Sequence, residues 1–149
     1  MKIPSLFLAA LGLWTIFTGT AHARNVQLIL PIAAALEAAD IPDRPTGSVK
    51  FFFGNQASPQ IMTNLDSYVA APRTSAMGKS DQRACHEALL WTLVAMEKRA
   101  QQKGANAVVN IASFYKKHEM SSATEFECHV GNVIVSVVLK GQLVKIADQ

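Results

Sequence analysis

The chain has 149 residues, of which 50% are hydrophobic and 17% are charged, and 14 basic residues against 11 acidic ones give a formal net charge of +3. This length predicts one ordinary domain that can bury a core of its own. The charge is too small and too evenly spread to indicate binding to nucleic acid or to an anionic membrane surface.

Residues 1–23 have the pattern of a secretory signal peptide. Lys2 provides a positive start, a mostly apolar run follows, and Ala21-His22-Ala23 places small residues where a signal peptidase cuts. We expect cleavage between Ala23 and Arg24, which would leave residues 24–149 as a single exported domain in the periplasm with no membrane span. A retained membrane anchor is the alternative, but the apolar run is short for a span and no basic cluster follows it.

Apolar periodicity and turn residues predict the elements of this domain. A short helix follows Pro31, and a long helix runs from Ser80 or Asp81 to Lys103. Residues 55–79 are loop-like, with at most one short edge strand near 68–70 or 73–75. Other strands are expected at 26–30, 49–53, 106–115, 124–130, 133–139 and 143–146.

Together these elements predict an α+β fold. We expect a mainly antiparallel sheet of four or five strands, with the long helix packed on one face and the short helix near the N-terminus. The run Val133–Leu139 is apolar on both faces, which is typical of a central strand.

The long helix is predicted to have one apolar side. That side contains Ala84, Cys85, Ala88, Leu89, Trp91, Leu93, Ala95, Met96 and Ala100, and the polar side contains Arg83, His86, Glu87, Glu97, Lys98 and Gln101. Leu90 and Val94, one turn apart, interrupt the polar side and predict a contact surface. Either a partner protein covers this pair, or the segment 26–39 folds back over it.

The two cysteines, Cys85 and Cys128, predict one structural disulfide. An isolated pair in an oxidising compartment is usually bonded. Cys85 lies on the apolar side of the long helix, and Cys128 shares the apolar face of a strand with Phe126 and Val130. A helix packed on the sheet would therefore bring the two sulfurs together.

The sequence shows no catalytic constellation, and we predict no cofactor and no enzymatic activity. Gly78-Lys79-Ser80 imitates the end of a phosphate-binding loop, but Arg73 stands where that loop needs a glycine. The chain contains no Cys-x-x-Cys motif, nucleophile elbow or recognised metal-ligand spacing. A weak metal site around His118, Glu119 and His129 is one interpretation. The simpler one is that these are ordinary surface side chains.

Several stretches resemble known families: Ala84-Cys85, the segment 104–111 (Gly-Ala-Asn-Ala-Val-Val-Asn-Ile), the segment 127–131 (Glu-Cys-His-Val-Gly) and Leu139-Lys140-Gly141. Over most of residues 26–146 the chain resembles small exported bacterial proteins labelled "excinuclease ATPase subunit", although it lacks the phosphate-binding and zinc motifs of a DNA-repair ATPase. Over about residues 81–140 it is similar, more distantly, to the envelope-stress sensor lipoprotein of the Rcs phosphorelay and to the YbjQ-like family labelled as heavy-metal-binding. The resemblance implies a small α+β domain and, as in the stress sensor, dependence on disulfides. This chain has two cysteines where the sensor has four, and it lacks the lipidated one.

The sequence therefore predicts an exported, non-enzymatic envelope protein that acts through protein–protein contact with an unidentified envelope partner. A periplasmic small-molecule or metal-binding module is the alternative.

Overall fold

A computed structural model of the chain describes residues 23–147. The predicted signal peptide, except for Ala23, lies outside the described residues. Within them, the elements are β1 (Val26–Pro31), α1 (Ile32–Glu37), β2 (Lys50–Phe53), β3 (Ile61–Ala70), β4 (Arg73–Ser75), α2 (Asp81–Lys103), β5 (Ala107–Ser113), β6 (Glu125–Val130), β7 (Ile134–Ser136) and β8 (Leu139–Ile146). No helix in this range is both long and apolar enough to cross a membrane.

The strands form two sheets of four, in the orders β1-β6-β7-β4 and β2-β5-β8-β3. All neighbouring pairs are antiparallel except β2 and β5. The α+β class, with mainly antiparallel strands, one long helix and one short helix, is confirmed. The arrangement differs in one respect, since the strands are divided between two sheets and not gathered in a single one.

The division falls within the run Val133–Leu139, which was expected to be one central strand. Here β7 ends at Ser136 and β8 begins at Leu139, so the run leaves one sheet and enters the other. The backbone between them bonds outside both sheets: the Thr92 hydroxyl lies 3.1 Å from the Val137 carbonyl oxygen, and Phe114 N–H donates to the Val138 carbonyl at 2.8 Å. The Phe114 N–H thus satisfies the Val138 carbonyl, whereas the single proton of the Thr92 hydroxyl is shared with the Ala88 carbonyl at 2.6 Å.

The ten-residue strand β3 lies in the region that was expected to be loop-like, so that expectation was wrong for residues 61–67, while the edge strand expected as one alternative at 68–70 is the end of β3. The short strand expected at 73–75 is present as β4. Strand β3 is at the edge of its sheet, and most of its side chains are exposed. Two register irregularities, between Ile61 and Thr63 and between Asn64 and Asp66, interrupt its pairing with β8. Polar residues and bulges are both common in edge strands.

The long helix begins and ends where the sequence predicts. The Ser80 hydroxyl accepts a hydrogen bond from Arg83 N–H at 3.2 Å, and Gly104 closes the helix with a φ of 73°. Helix α2 contacts strands of both sheets, and most of its buried apolar side chains belong to the larger of two core clusters. The smaller cluster consists of Ala107, Val109, Val144 and Ile146. At Gly141 of β8 a Cβ would come within 2.6 Å of Val108 Cγ1 and 3.3 Å of Ile111 Cγ1, so glycine leaves room for these two side chains of β5.

The rotation of α2 differs from the amphipathic pattern expected from the sequence. Leu90, which was assigned to the polar side, is only 1% exposed, whereas Trp91, assigned to the apolar side, is 45% exposed. His86 and Glu97, also assigned to the polar side, are buried. The physical reason is that α2 is covered on two sides, by the sheets and by α1 with the segment that follows it.

Candidate functional site

An open cavity of about 440 Å³ lies between α1, the segment 41–49, β2 and α2. We call it the α1–α2 groove. Its apolar lining includes side chains from three parts of the chain. These are Ile32 and Leu36 of α1, Phe51 and Phe53 of β2 with Val49 just before it, and Leu90 and Leu93 of α2. Leu36 is exposed, while Leu90 and Leu93 are buried, so the groove runs from solvent to the side of α2.

Helix α1 provides one wall of this groove. Pro31, which has no N–H to leave unpaired, precedes its first residue. Ile32 and Ala35 lie three residues apart, on the same side of the helix, and both are buried. Leu36 is 43% exposed, so α1 covers part of α2 and leaves an opening beside it.

Among the residues that the structure describes, Arg44 is the only charged one that lines the α1–α2 groove. Its Nη1 donates to the Leu36 carbonyl at 2.6 Å, its Nη2 donates to the Ala38 carbonyl, and its Nε donates to the Ile41 carbonyl at 3.1 Å. These contacts satisfy one carbonyl in the last turn of α1, that of Leu36, and two in the segment that follows the helix, those of Ala38 and Ile41. They also hold the guanidinium group in one place.

Glu97 of α2 fixes the opposite end of the segment 41–49. Its carboxylate accepts hydrogen bonds from the N–H groups of Thr46 and Gly47 at 2.8 and 3.2 Å, and from the hydroxyls of Thr46 and Ser48 at 2.9 and 3.1 Å. We call this set the Glu97 clasp. Burial alone would raise the pKa of Glu97, but the hydrogen bonds outweigh it and hold the pKa below its ordinary value of 4.5. The clasp is therefore ionised and formed at neutral pH.

Gln56 lines the groove as well, and its amide is already paired. Its Oε1 accepts from Phe53 N–H at 2.8 Å, and its Nε2 donates to the Ala123 carbonyl at 2.8 Å. The polar side-chain atoms of Gln56 are thus engaged with the protein backbone. The surface that remains for a ligand is mostly apolar.

A second polar cluster lies on β6, away from the α1–α2 groove. His129 Nε2 bonds with Glu127 Oε1, His129 Nδ1 lies 3.3 Å from Asn25 Oδ1, and the Tyr115 ring stacks on the imidazole with centroids 3.5 Å apart. Glu127 and His129 are both 8% exposed. Each ring nitrogen of His129 therefore has an oxygen partner within the chain.

The metal site that the sequence left open is not assembled. His118 and Glu119 are exposed, and Glu119 lies 3.7 Å from Lys140 Nζ. His129 is instead engaged with Glu127 and Asn25. Among residues 23–147, no group of three or more His, Cys, Asp or Glu side chains could hold a metal ion.

The predicted disulfide is present between Cys85 of α2 and Cys128 of β6, with their Cα atoms 5.9 Å apart. Both residues are completely buried.

The predicted contact pair, Leu90 and Val94, is only partly covered. Leu90 is covered within the chain and lines the groove with Ile32 and Leu36, while Val94 is half-buried. Sequence reasoning did not single out Arg44 or the contacts of Glu97, since the segment 41–47 carried only the signal of a turn.

No family model, no curated protein and no solved structure matches this chain. The resemblances noted in the sequence therefore stay predictions. What the residues themselves provide is an apolar groove with one cation in its lining, held in shape by Arg44 and Glu97.

Proposed function

We propose that this chain is an exported, non-enzymatic binding protein that holds a small apolar molecule in the α1–α2 groove. The observation that carries the proposal is the cavity itself. Its volume of about 440 Å³ falls within the range of about 300–1,000 Å³ that is usual for small-molecule sites. Its lining of aliphatic and aromatic side chains favours an apolar occupant.

The chemistry of the lining favours binding over catalysis. Arg44 is the one ionisable side chain there among residues 23–147, and a guanidinium group stays protonated near neutral pH. General acid–base catalysis needs a group whose pKa lies near the working pH. The groove provides apolar area and one fixed positive charge, which are properties of a binding site.

The signal-peptide pattern of residues 1–23 and the buried disulfide both support export to an oxidising compartment. We place the protein in the periplasm. A binding protein in that compartment would meet apolar molecules that are poorly soluble in water and gain from being carried.

A titration with 1-decanol tests the groove. Leu36 and Ile134 are both 43% exposed, but only Leu36 lines the groove. We expect Leu36→Gln to weaken decanol binding several-fold, because it removes apolar contact at the opening, and the matched control Ile134→Gln to leave binding unchanged. Calorimetry gives both affinities. An absence of binding by the unaltered protein, or an equal loss in both variants, contradicts the proposal.

A protein-contact function is the second candidate, and strand β3 is the observation that favours it. Its outer edge has no partner strand within residues 23–147. Ile61, Met62, Leu65 and Val69 are all exposed along it. An extended segment of an envelope partner could add to this edge through main-chain hydrogen bonds, with its side chains against the exposed apolar ones.

Site-specific photo-crosslinking in intact cells tests this candidate. Met62 on β3 is 70% exposed, and Met77, outside β3, is 67% exposed and serves as the matched control. We expect a photoreactive residue at position 62 to give a discrete crosslinked product that position 77 does not give. Equal products at both positions, or none at position 62, count against docking at β3.

A further inference from the structure

The side chain of Arg44 has hydrogen-bonding capacity that the fold leaves unused. A guanidinium group carries five N–H groups, and three of them reach the carbonyls of Leu36, Ala38 and Ile41. One N–H on Nη1 and one on Nη2 remain. Arg44 is one of the residues that line the α1–α2 groove, together with its apolar side chains.

The positive charge of Arg44 also lacks a counter-ion among the described residues. None of the ion pairs within residues 23–147 includes it. Asp40 pairs with Arg83, and Glu97 forms the Glu97 clasp. Glu37 and Asp43, which are close to Arg44 in sequence, are exposed and form no ion pair with it. The other residues lining the groove are uncharged.

A fixed cation beside an apolar cavity is complementary to one particular kind of molecule. Hydrogen bonds between a guanidinium and an anionic oxygen are stronger than neutral ones, and exclusion of water strengthens them further. The three carbonyl contacts already hold Arg44 in place, so binding an anion there would cost little additional side-chain entropy. The apolar walls accept an alkyl chain, and Arg44 accepts a negatively charged head.

We propose that the ligand of the α1–α2 groove is a single-chain amphiphile with an anionic head, whose oxygens bind the two unused N–H groups of Arg44. This inference rests on the proposed function of the groove and names the ligand class. The shared chemistry is an oxyanion on an alkyl chain. A fatty acid would supply a carboxylate, and a lysophospholipid-like molecule would supply a phosphate.

The test compares ligands with the same alkyl chain and different heads, all below their micelle concentrations. Decanoate, decyl phosphate, 1-decanol and decyltrimethylammonium are titrated by calorimetry into the exported protein. We expect at least one anion to bind about tenfold or more tightly than decanol, and the cation to bind most weakly. The tighter of the two anions identifies the head group.

The variant Arg44→Met assigns the preference to this side chain. We expect the ratio of anion to decanol affinity to fall to about one, with decanol still bound. Equal affinities for anions and decanol in the unaltered protein overturn the inference while leaving the groove proposal in place. An unchanged ratio in Arg44→Met overturns the role of Arg44. If decanol and both anions all fail to bind the unaltered protein, the proposed function itself fails.

Arg44 also supports α1, so the variant could fail to fold. In that case the side-chain N–H signals of Arg44 in the unaltered protein provide the measurement by nuclear magnetic resonance. We expect the preferred anion to shift these signals and decanol to leave them in place. Equal shifts from both ligands overturn the inference.

Discussion

The Glu97 carboxylate connects the segment 41–49 to α2 through hydrogen bonds from both backbone and side chains. We expect Glu97→Gln to lower the free energy of unfolding by about 1–3 kcal/mol, because an amide is a weaker acceptor and leaves donors of the clasp unpaired. Chemical denaturation at neutral pH measures the loss. Lys98→Gln, at the exposed neighbouring position, is the control and should be nearly neutral.

The same carboxylate makes a pH-dependent contribution. Its pKa in the folded state lies below the ordinary value of 4.5, so the stabilisation is complete above that value and is lost as the pH falls through the folded-state pKa. We expect the difference in unfolding free energy between the unaltered protein and Glu97→Gln to be constant from pH 7 to about pH 5 and to shrink at lower pH. A difference that persists undiminished at pH 2 would rule out the ionised clasp.

His86 makes the stability of the protein depend on pH in a higher range than Glu97 does. It is 8% exposed, and its Nε2 has no hydrogen-bond partner within residues 23–147. Burial lowers the pKa of His86 from its ordinary value of 6.5, so the folded state favours the neutral ring. Protonation of His86 therefore favours the unfolded state. The free energy of unfolding is not reduced by this site above pH 6.5, and it declines as the pH falls from there toward the folded-state pKa. We expect His86→Leu to flatten the decline of unfolding free energy just below pH 6.5, which denaturation at a series of pH values measures.

At the scale of the elements, we draw a prediction from the observed rotation of α2. The amphipathic pattern alone would predict the opposite order of mutational effects. Leu90 is buried and Trp91 is half exposed. We expect Leu90→Ala to lower the unfolding free energy by about 2–4 kcal/mol and Trp91→Ala to cost about 1 kcal/mol or less. Replacing the larger residue, Trp91, should thus cost less unfolding free energy than replacing Leu90. Denaturation curves give both values, and the opposite order would mean that α2 is turned the other way.

The disulfide joins α2 to the sheet of β1, β6, β7 and β4. It closes a sequence separation of 43 residues, for which the chain-entropy estimate is about 4 kcal/mol. We expect Cys85→Ala and Cys128→Ala each to lower the unfolding free energy by about 2–4 kcal/mol, and the double variant to lose little more than either single one. Additive losses in denaturation experiments would indicate that the two residues act separately.

The sequence could predict those elements that are determined by residues close to them in the chain. The bounds of α2 were predictable because Ser80 and Gly104 act on their own neighbours, and the disulfide because each cysteine lies on a locally apolar side. Residues 61–67 of strand β3 were missed because an exposed edge strand needs no apolar alternation. The division at Ser136–Leu139 and the α1–α2 groove depend on partners distant in sequence, such as Thr92 for Val137 and Glu97 for Thr46.

For the whole molecule, the expected form is a chain that begins at Arg24 and contains one disulfide. We predict that the intact mass of the exported protein corresponds to residues 24–149 and lies about 2 Da below the all-thiol value, since bond formation removes two hydrogens. Mass spectrometry before and after reduction measures both quantities. An uncleaved N-terminus would exclude the proposed export route, and two alkylatable thiols in the native protein would exclude the bridge.

Strand β8 lies between β5 and β3, although it follows both of them in the chain. During synthesis, β3 and β5 therefore emerge before the strand that pairs with each of them exists. The sheet β2-β5-β8-β3 has only its β2–β5 pair until residues 139–146 arrive. The nascent chain therefore cannot complete this sheet until residues 139–146 have been synthesised.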